Sequence, residues 1–456
     1  MIDQSYIKII FLFFLNWFAF HQLAAQPKFP QDFDYDSLLS LAKQHKKPMF
    51  LVIHQRSEEF SPFINVSISQ KTKNILNEQF VSGTVRLASE DINHPLHKTY
   101  RLTTPIYLFT DEHGYPLLRH NKPIDQEETL MKLIDSAKTI GEGETMGKLV
   151  QQYKKGIRSR LLLMNLLKQY QTFDQYTDQQ VLNDYVSQLS VQELNNFETV
   201  VFLLRCGPVY NSKTYQLAYT NRKMVDSLYS TLPLPRRQEI NNRIIYRTFR
   251  EALDKKDYSL SQTLGQFVGR TWQSNYLRAQ MGRSYYPMEY NRLLQDTAVY
   301  IQMAQNYYNT FFYRVAADSI AKLDFANGRE IRPHLRRGQL LDSAENILFQ
   351  QWMGKNRKRY EETQVRSLNY GANQLVKFGN DNPDVLFDAI RWLKKSITLR
   401  PDRGQSHHIL AKALYHVGFY AEAETEQQRA VELYKPQKHY HKQMRDVLKQ
   451  MQDRSL

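Results

Sequence analysis

Prolines divide this chain. Eight of the sixteen fall between Gln26 and Ile140, and the other eight are spread over a stretch more than twice as long, Gly141 to Leu456. Proline removes a backbone donor and clashes with the preceding helical turn, so the sparse stretch admits long helices and the denser one favours strands and turns. The fold class that follows is an α/β region succeeded by an all-α region. In the second stretch the prolines at 208, 233, 235, 287, 333, 383, 401 and 436 read as punctuation where helices end or begin. Arg236–Asp254 shows the texture: Ile240, Ile244, Ile245, Phe249 and Leu253 make one apolar stripe among Arg, Asn and Glu. Similar patterns over 149–170, 178–204, 214–228 and 288–312 predict antiparallel helix pairs.

Residues 1–25 read as a signal peptide. Lys8 precedes an apolar run from Ile9 to Phe20, broken only by Asn16, and Leu23-Ala24-Ala25 supplies a small-residue exit before Gln26. That run is shorter than the roughly 20 residues needed to span hydrocarbon, and no second run approaches that length. The expected location is periplasmic or secreted, with no transmembrane span after cleavage. Three further divisions are expected: 26–140, 141–379 and 380–456. Gly141–Gly147 reads as a hinge, because it lacks the preceding strand, the G-x-G-x-x-G spacing and the Lys-Ser/Thr of a phosphate loop.

Charge follows the same division. Residues 26–140 carry 14 basic and 14 acidic side chains, whereas 141–456 carry 46 and 31, so the net +15 sits on the helical part, as do 24 of the 29 tyrosines. The expected picture is a solvated basic face, with tyrosines packed between helices and their hydroxyls at the edge. An anionic envelope surface is the alternative partner for that charge. Export argues against nucleic acid.

Cys206 is the single cysteine, which excludes an intramolecular disulfide framework, a Cys₄ zinc site and any Cys-X-X-Cys pair. It is expected to be a buried, inert thiol. His407, His408, His416, His439 and His441 lack metal-ligand spacing, so no metal and no cofactor are expected. No catalytic constellation emerges, and the chain reads as a non-enzyme.

Residues 26–140 supply an ordered set of elements. Ser37–His45 suits a short amphipathic helix, Met49–Ile53 a strand buried on both faces, and Gln70–Asn77 a second helix. Phe80–Leu87 and Ile106–Phe109 read as strands, Asp111–Gly114 as a hairpin turn, Pro116–Arg119 as the last strand and Glu127–Thr139 as a closing helix. This order resembles the thioredoxin fold, most specifically at Lys47-Pro48-Met-Phe-Leu-Val-Ile53 and at Thr104-Pro105-Ile-Tyr-Leu-Phe109. The resemblance implies a cis-proline loop at Thr104-Pro105 that pairs with extended peptide backbone. It also places the family's redox thiols near Glu58-Glu59-Phe60-Ser61, where this chain has no cysteine. Glu58 and Ser61 therefore join Thr104 and Pro105 as candidate peptide-binding residues rather than catalytic ones.

Near the C-terminus, Leu410-Ala411, Leu414, Gly418, Tyr420, Ala423 and Ala430 resemble a tetratricopeptide repeat, and Ala389, Trp392-Leu393, Leu399 and Pro401 resemble part of its neighbour. His407 and Gln427 depart from the bulky residues of that pattern, so irregular packing is expected there. The resemblance implies a groove for a protein or extended peptide, with Tyr415 and Tyr420 as candidate contacts. The expected function is redox-inactive protein or peptide binding and scaffolding in the cell envelope. The alternatives are an accessory role in thiol-disulfide exchange and a structural role on anionic surfaces.

Overall fold

The computed structural model describes residues 33–55, 68–88, 90–101, 106–272, 275–331, 358–379 and 381–456. The expected signal peptide lies outside them. Helix α1 (Tyr35–His45) starts where the Asp34 carboxylate accepts the Ser37 N–H at 3.0 Å, and it buries Leu38 and Ala42. Strand β1 (Met49–Gln55), helix α2 (Gln70–Gln79), strand β2 (Val81–Leu87), the short helix α3 (Pro95–Thr99), strands β3 (Ile106–Thr110) and β4 (Pro116–His120), and helix α4 (Glu127–Glu142) follow. The strands form one mixed sheet in the order β2-β1-β3-β4. Strand β1 runs parallel to β2 and antiparallel to β3, and β3 is antiparallel to β4.

Both central strands are buried along consecutive residues, Met49 to His54 and Ile106 to Thr110, so both faces of the sheet are covered. Phe109 holds this core together: it stacks on Phe50 at 4.6 Å and meets the edge of Phe80 at 5.6 Å. The hairpin forms as its sequence requires, with Gly114 at φ 87° and the Asp111 carboxylate accepting the N–H groups of His113 and Tyr115, both at 2.9 Å. Helix α3 was not anticipated from the sequence. Pro95 opens it and His94 caps it by accepting the Leu96 N–H.

After α4 the described chain is helical: α5 (Met146–Lys154), α6 (Arg160–Thr172), shorter helices between 179 and 231, and α7 (Leu234–Lys255). Two compact units result, one ending at Glu251 and the other comprising Ala252–Leu456. The change in composition near 140 and the boundary between units are therefore different divisions of the chain. Within the first unit an arginine cluster ties helices to sheet. Arg101 Nε, Arg119 of β4 and Arg243 of α7 approach the Asp174 carboxylate at 3.1, 3.7 and 3.5 Å. Arg119 also donates to the carbonyls of Phe173 at 2.6 Å and Arg101 at 3.1 Å. Backbone pairing completes the join, Arg101 N–H to Asp174 C=O and Tyr176 N–H to Thr99 C=O. A shared carboxylate and several carbonyls offset the cost of taking three guanidiniums out of water.

The second unit stacks helices pairwise. It contains α8 (Tyr258–Thr271), α9 (Tyr276–Leu293), α10 (Thr297–Tyr308) running into a π-helical turn at Asn309–Tyr313, and α11 (Ala317–Ile331). Then come α12 (Arg359–Phe378), α13 (Pro383–Leu399), α14 (Gly404–His416), α15 (Tyr420–Tyr434) and α16 (Lys438–Gln452). Helix α8 packs on α9, α12 on α13, and α14 on α15, with α16 closing on α15. Its core gathers Trp392, Tyr300, Tyr308, Leu368, Leu386 and Leu410. Lys395 donates its ammonium to the carbonyls of Phe312, Tyr313 and Val315, satisfying acceptors that the π turn leaves open.

Two expectations need correction here. Pro287 is not punctuation: it stands inside α9. Its missing N–H leaves the Arg283 carbonyl without a helical donor, and Gly265 of α8 packs against that same carbonyl so closely that a β-carbon on it would lie 2.5 Å away. Nor do the tyrosines all keep their hydroxyls at an edge. Tyr300 is wholly buried and Tyr308 nearly so, because Gly371 on α12 lets the helices close over Tyr308.

Candidate functional site

Of the six residues singled out in the sequence, Glu58, Ser61, Thr104 and Pro105 lie outside the described residues. Their attachment points are described. Ile53 near the end of β1 pairs with Ile106 at the start of β3, so the chain departs from and returns to the same end of the sheet. The segment leading to 102–105 is fixed, since Tyr100 is bridged to Gln175 and Arg101 is held by Asp174.

Tyr415 and Tyr420 are brought together. Tyr415 ends α14 almost buried, Tyr420 begins α15 at 41% exposure, and their rings meet edge to face at 5.1 Å. Sequence reasoning missed their neighbours: Phe419 is 46% exposed, and its ring lies 6.4 Å from that of Phe387, 40% exposed on α13. The Arg454 guanidinium lies 4.4 Å above the Tyr420 ring and pairs with Glu424 at 2.6 Å. The result is an aromatic ledge across the turn between α14 and α15. Large exposed apolar side chains that adjoin one another, with a cation fixed beside them, suit capture of a partner's side chains. The only signal in the sequence was the run Gly418-Phe419-Tyr420 at a helix start, which repeat spacing credited to Tyr420 alone.

Behind the ledge, the residues that depart from the repeat pattern are hydrogen-bonded rather than loosely packed. His407 lies between Glu426, at 2.6 Å from Nδ1, and the Pro401 carbonyl, at 3.1 Å from Nε2. Gln427, fully buried, faces His408 Nδ1 through its oxygen at 2.9 Å and donates from Nε2 to the Met444 carbonyl at 2.8 Å. The expected irregularity is thus replaced by a satisfied polar network. Burial, with Lys412 nearby, pulls the His408 imidazole down to about 4. The neutral ring is the folded form, whereas the unfolded chain takes a proton near 6.5. Stability is therefore full above about pH 6.5 and falls by about 3 kcal/mol as pH drops toward 4. Urea midpoints measured across that window should show the decline, and His408→Gln should make it shallower, the remainder coming from His97, His120 and His416, which burial also pulls down.

A cleft of about 490 Å³ opens in the first unit between the hairpin, α4 and α5, lined by Asp111, His113, Leu117, Lys138, Lys148 and Gln151 among others. Two of its polar groups serve the scaffold. Asp111 accepts backbone N–H groups, and Lys148 donates to the Gly143 carbonyl at 2.6 Å. Cys206 is 2% exposed, receives a hydrogen bond from Gln171 Nε2 at 3.1 Å, and has its thiol pushed up to about 12 by burial. It is a poor nucleophile in a closed setting. Among the described residues no three His, Cys, Asp or Glu side chains converge as metal ligands, and no helix is long and apolar enough to cross a membrane. No protein-family model matches this chain, and no curated protein matches it.

Proposed function

We propose that the chain is an exported, redox-inactive protein with a thioredoxin-like N-terminal region and tetratricopeptide-like C-terminal helices, acting as a binding or scaffolding protein for a partner protein or extended peptide in the cell envelope. The strand order and the antiparallel pairing of β1 with β3 support the first part. The pairing of α12 with α13 and of α14 with α15 supports the second. One observation carries the function: the ledge of Phe387, Phe419 and Tyr420 leaves aromatic area in water beside a fixed guanidinium. Thiol-disulfide accessory work is the weaker reading, because Cys206 is enclosed and its thiolate disfavoured.

The test is a peptide-display selection on the full chain, followed by affinities of the selected peptides for wild type and for Phe387→Ser/Phe419→Ser/Tyr420→Ser. These side chains are partly exposed, so the variant keeps the fold, as circular dichroism would verify. A loss of at least about tenfold, roughly 1.4 kcal/mol, is expected. Selected peptides that bind the variant as tightly would remove the ledge from recognition.

A further inference from the structure

The last helix carries a surface that peptide capture does not use. On α16, Lys438, Lys442, Arg445 and Lys449 recur at steps of four, three and four residues, which at 3.6 residues per turn places them within about 60° of arc. All four are exposed. The stripe is about 16 Å long at 1.5 Å rise per residue, and Lys435, also exposed, extends it just before the helix begins. The opposite face buries Met444 and Met451. Several cations elsewhere in this stack have partners: Arg366 with Glu362 at 2.7 Å, Arg400 with Asp402 at 3.0 Å, Arg429 with Glu432 at 3.0 Å. Among the described residues the four stripe cations make no ion pair. Asp446 and Asp453 lie at the border of the stripe, so with Lys435 counted the face carries a net charge of +3 (five cations less two aspartates) and the row is unbroken.

We infer that this face of α16 docks the protein on an anionic lipid bilayer. A discrete small anion would need a concavity, and this is the outer face of a helix. A coiled-coil partner would need apolar seam residues, and the stripe has none. A row of point charges on a convex, terminal helix instead matches a plane of diffuse negative charge, where each lysine or arginine adds independently. The absence of apolar residues from the stripe makes the association peripheral and sensitive to salt. An envelope protein, as proposed above, has such surfaces within reach.

The experiment is co-sedimentation of the full chain with vesicles of phosphatidylcholine alone and of an equimolar mixture with phosphatidylglycerol, at low and high salt. Wild type should bind the mixed vesicles at low salt and leave them at high salt. Lys438→Gln/Lys442→Gln/Arg445→Gln/Lys449→Gln should bind several hundredfold more weakly, about fivefold for each charge removed. A control with the same loss of charge elsewhere, Lys43→Gln/Lys71→Gln/Lys155→Gln/Lys168→Gln, should retain most of the binding. Equal losses in both variants would mean that net charge, not the stripe, is responsible, and would overturn the assignment. So would absence of wild-type binding to the mixed vesicles, or displacement by soluble polyglutamate or heparin at matched charge, which would assign the face to an acidic protein or polysaccharide.

Discussion

Gly265→Ala is expected to destabilise the second unit by about 3 kcal/mol, the upper end of what overpacking costs. Helix propensity alone gives the opposite sign, since alanine is favoured over glycine in a helix interior by about 1 kcal/mol. Packing decides. A β-carbon at 265 would meet the Arg283 carbonyl oxygen at 2.5 Å, and backbone cannot swing aside as a flexible side chain can. Gly269 and Gly282 abut the same crossing, with β-carbons that would come within 2.7 Å of the Arg283 side chain and 2.5 Å of the Val268 side chain. Helices α8 and α9 would have to separate, and the carbonyl freed by Pro287 would lose its neighbour. Three of the four tryptophans, Trp272, Trp352 and Trp392, lie beyond residue 251, so the urea midpoint read by tryptophan fluorescence reports on this unit. A midpoint unchanged or raised by the alanine would show that α8 and α9 do not approach as closely as described.

Trp392→Ala should cost about 3–5 kcal/mol. The indole is fully buried, lies 5.2 Å from the Tyr308 ring, and donates from Nε1 to the Asn309 side-chain oxygen at 2.8 Å. Truncation opens a cavity and removes the donor from a half-buried acceptor at the first residue of the π turn. Trp392→Phe separates these effects, because it refills most of the volume and removes only the donor; a loss nearer 1–2 kcal/mol is expected from it. Chemical denaturation followed by circular dichroism measures both. If the two variants were equally stable, indole volume would not be what holds this core.

Much of the fold was legible because it rests on local chemistry. The apolar run at Met49–Ile53, the Asp111–Gly114 turn and the stripe along Arg236–Asp254 each combine period and punctuation within a dozen or two residues. What stayed hidden depends on partners distant in sequence. Arg119 reads as one more surface cation until Asp174 and the Phe173 carbonyl arrive beside it. Pro287 reads as a helix stop, since nothing nearby announces that Gly265 will cover the exposed carbonyl. Repeat spacing located Tyr420, but it could not place Phe387 beside Phe419, because that contact joins different helical pairs. Likewise His407 and Gln427 read as defects when measured against an apolar pattern. Their hydrogen-bond partners, Glu426 and the Met444 carbonyl, become visible only when the helices are stacked.

Gln427 has a further consequence. Its amide is asymmetric, with an acceptor that needs His408 on one side and a donor that needs the Met444 carbonyl on the other. A greasy residue in its place would bury more comfortably but would tolerate α16 slid by a turn or rolled about its axis. The amide tolerates neither, because any such displacement leaves two polar ends stranded in a dry interior. One side chain thereby indexes the final helix against the two before it, and so dictates which of its sides looks outward.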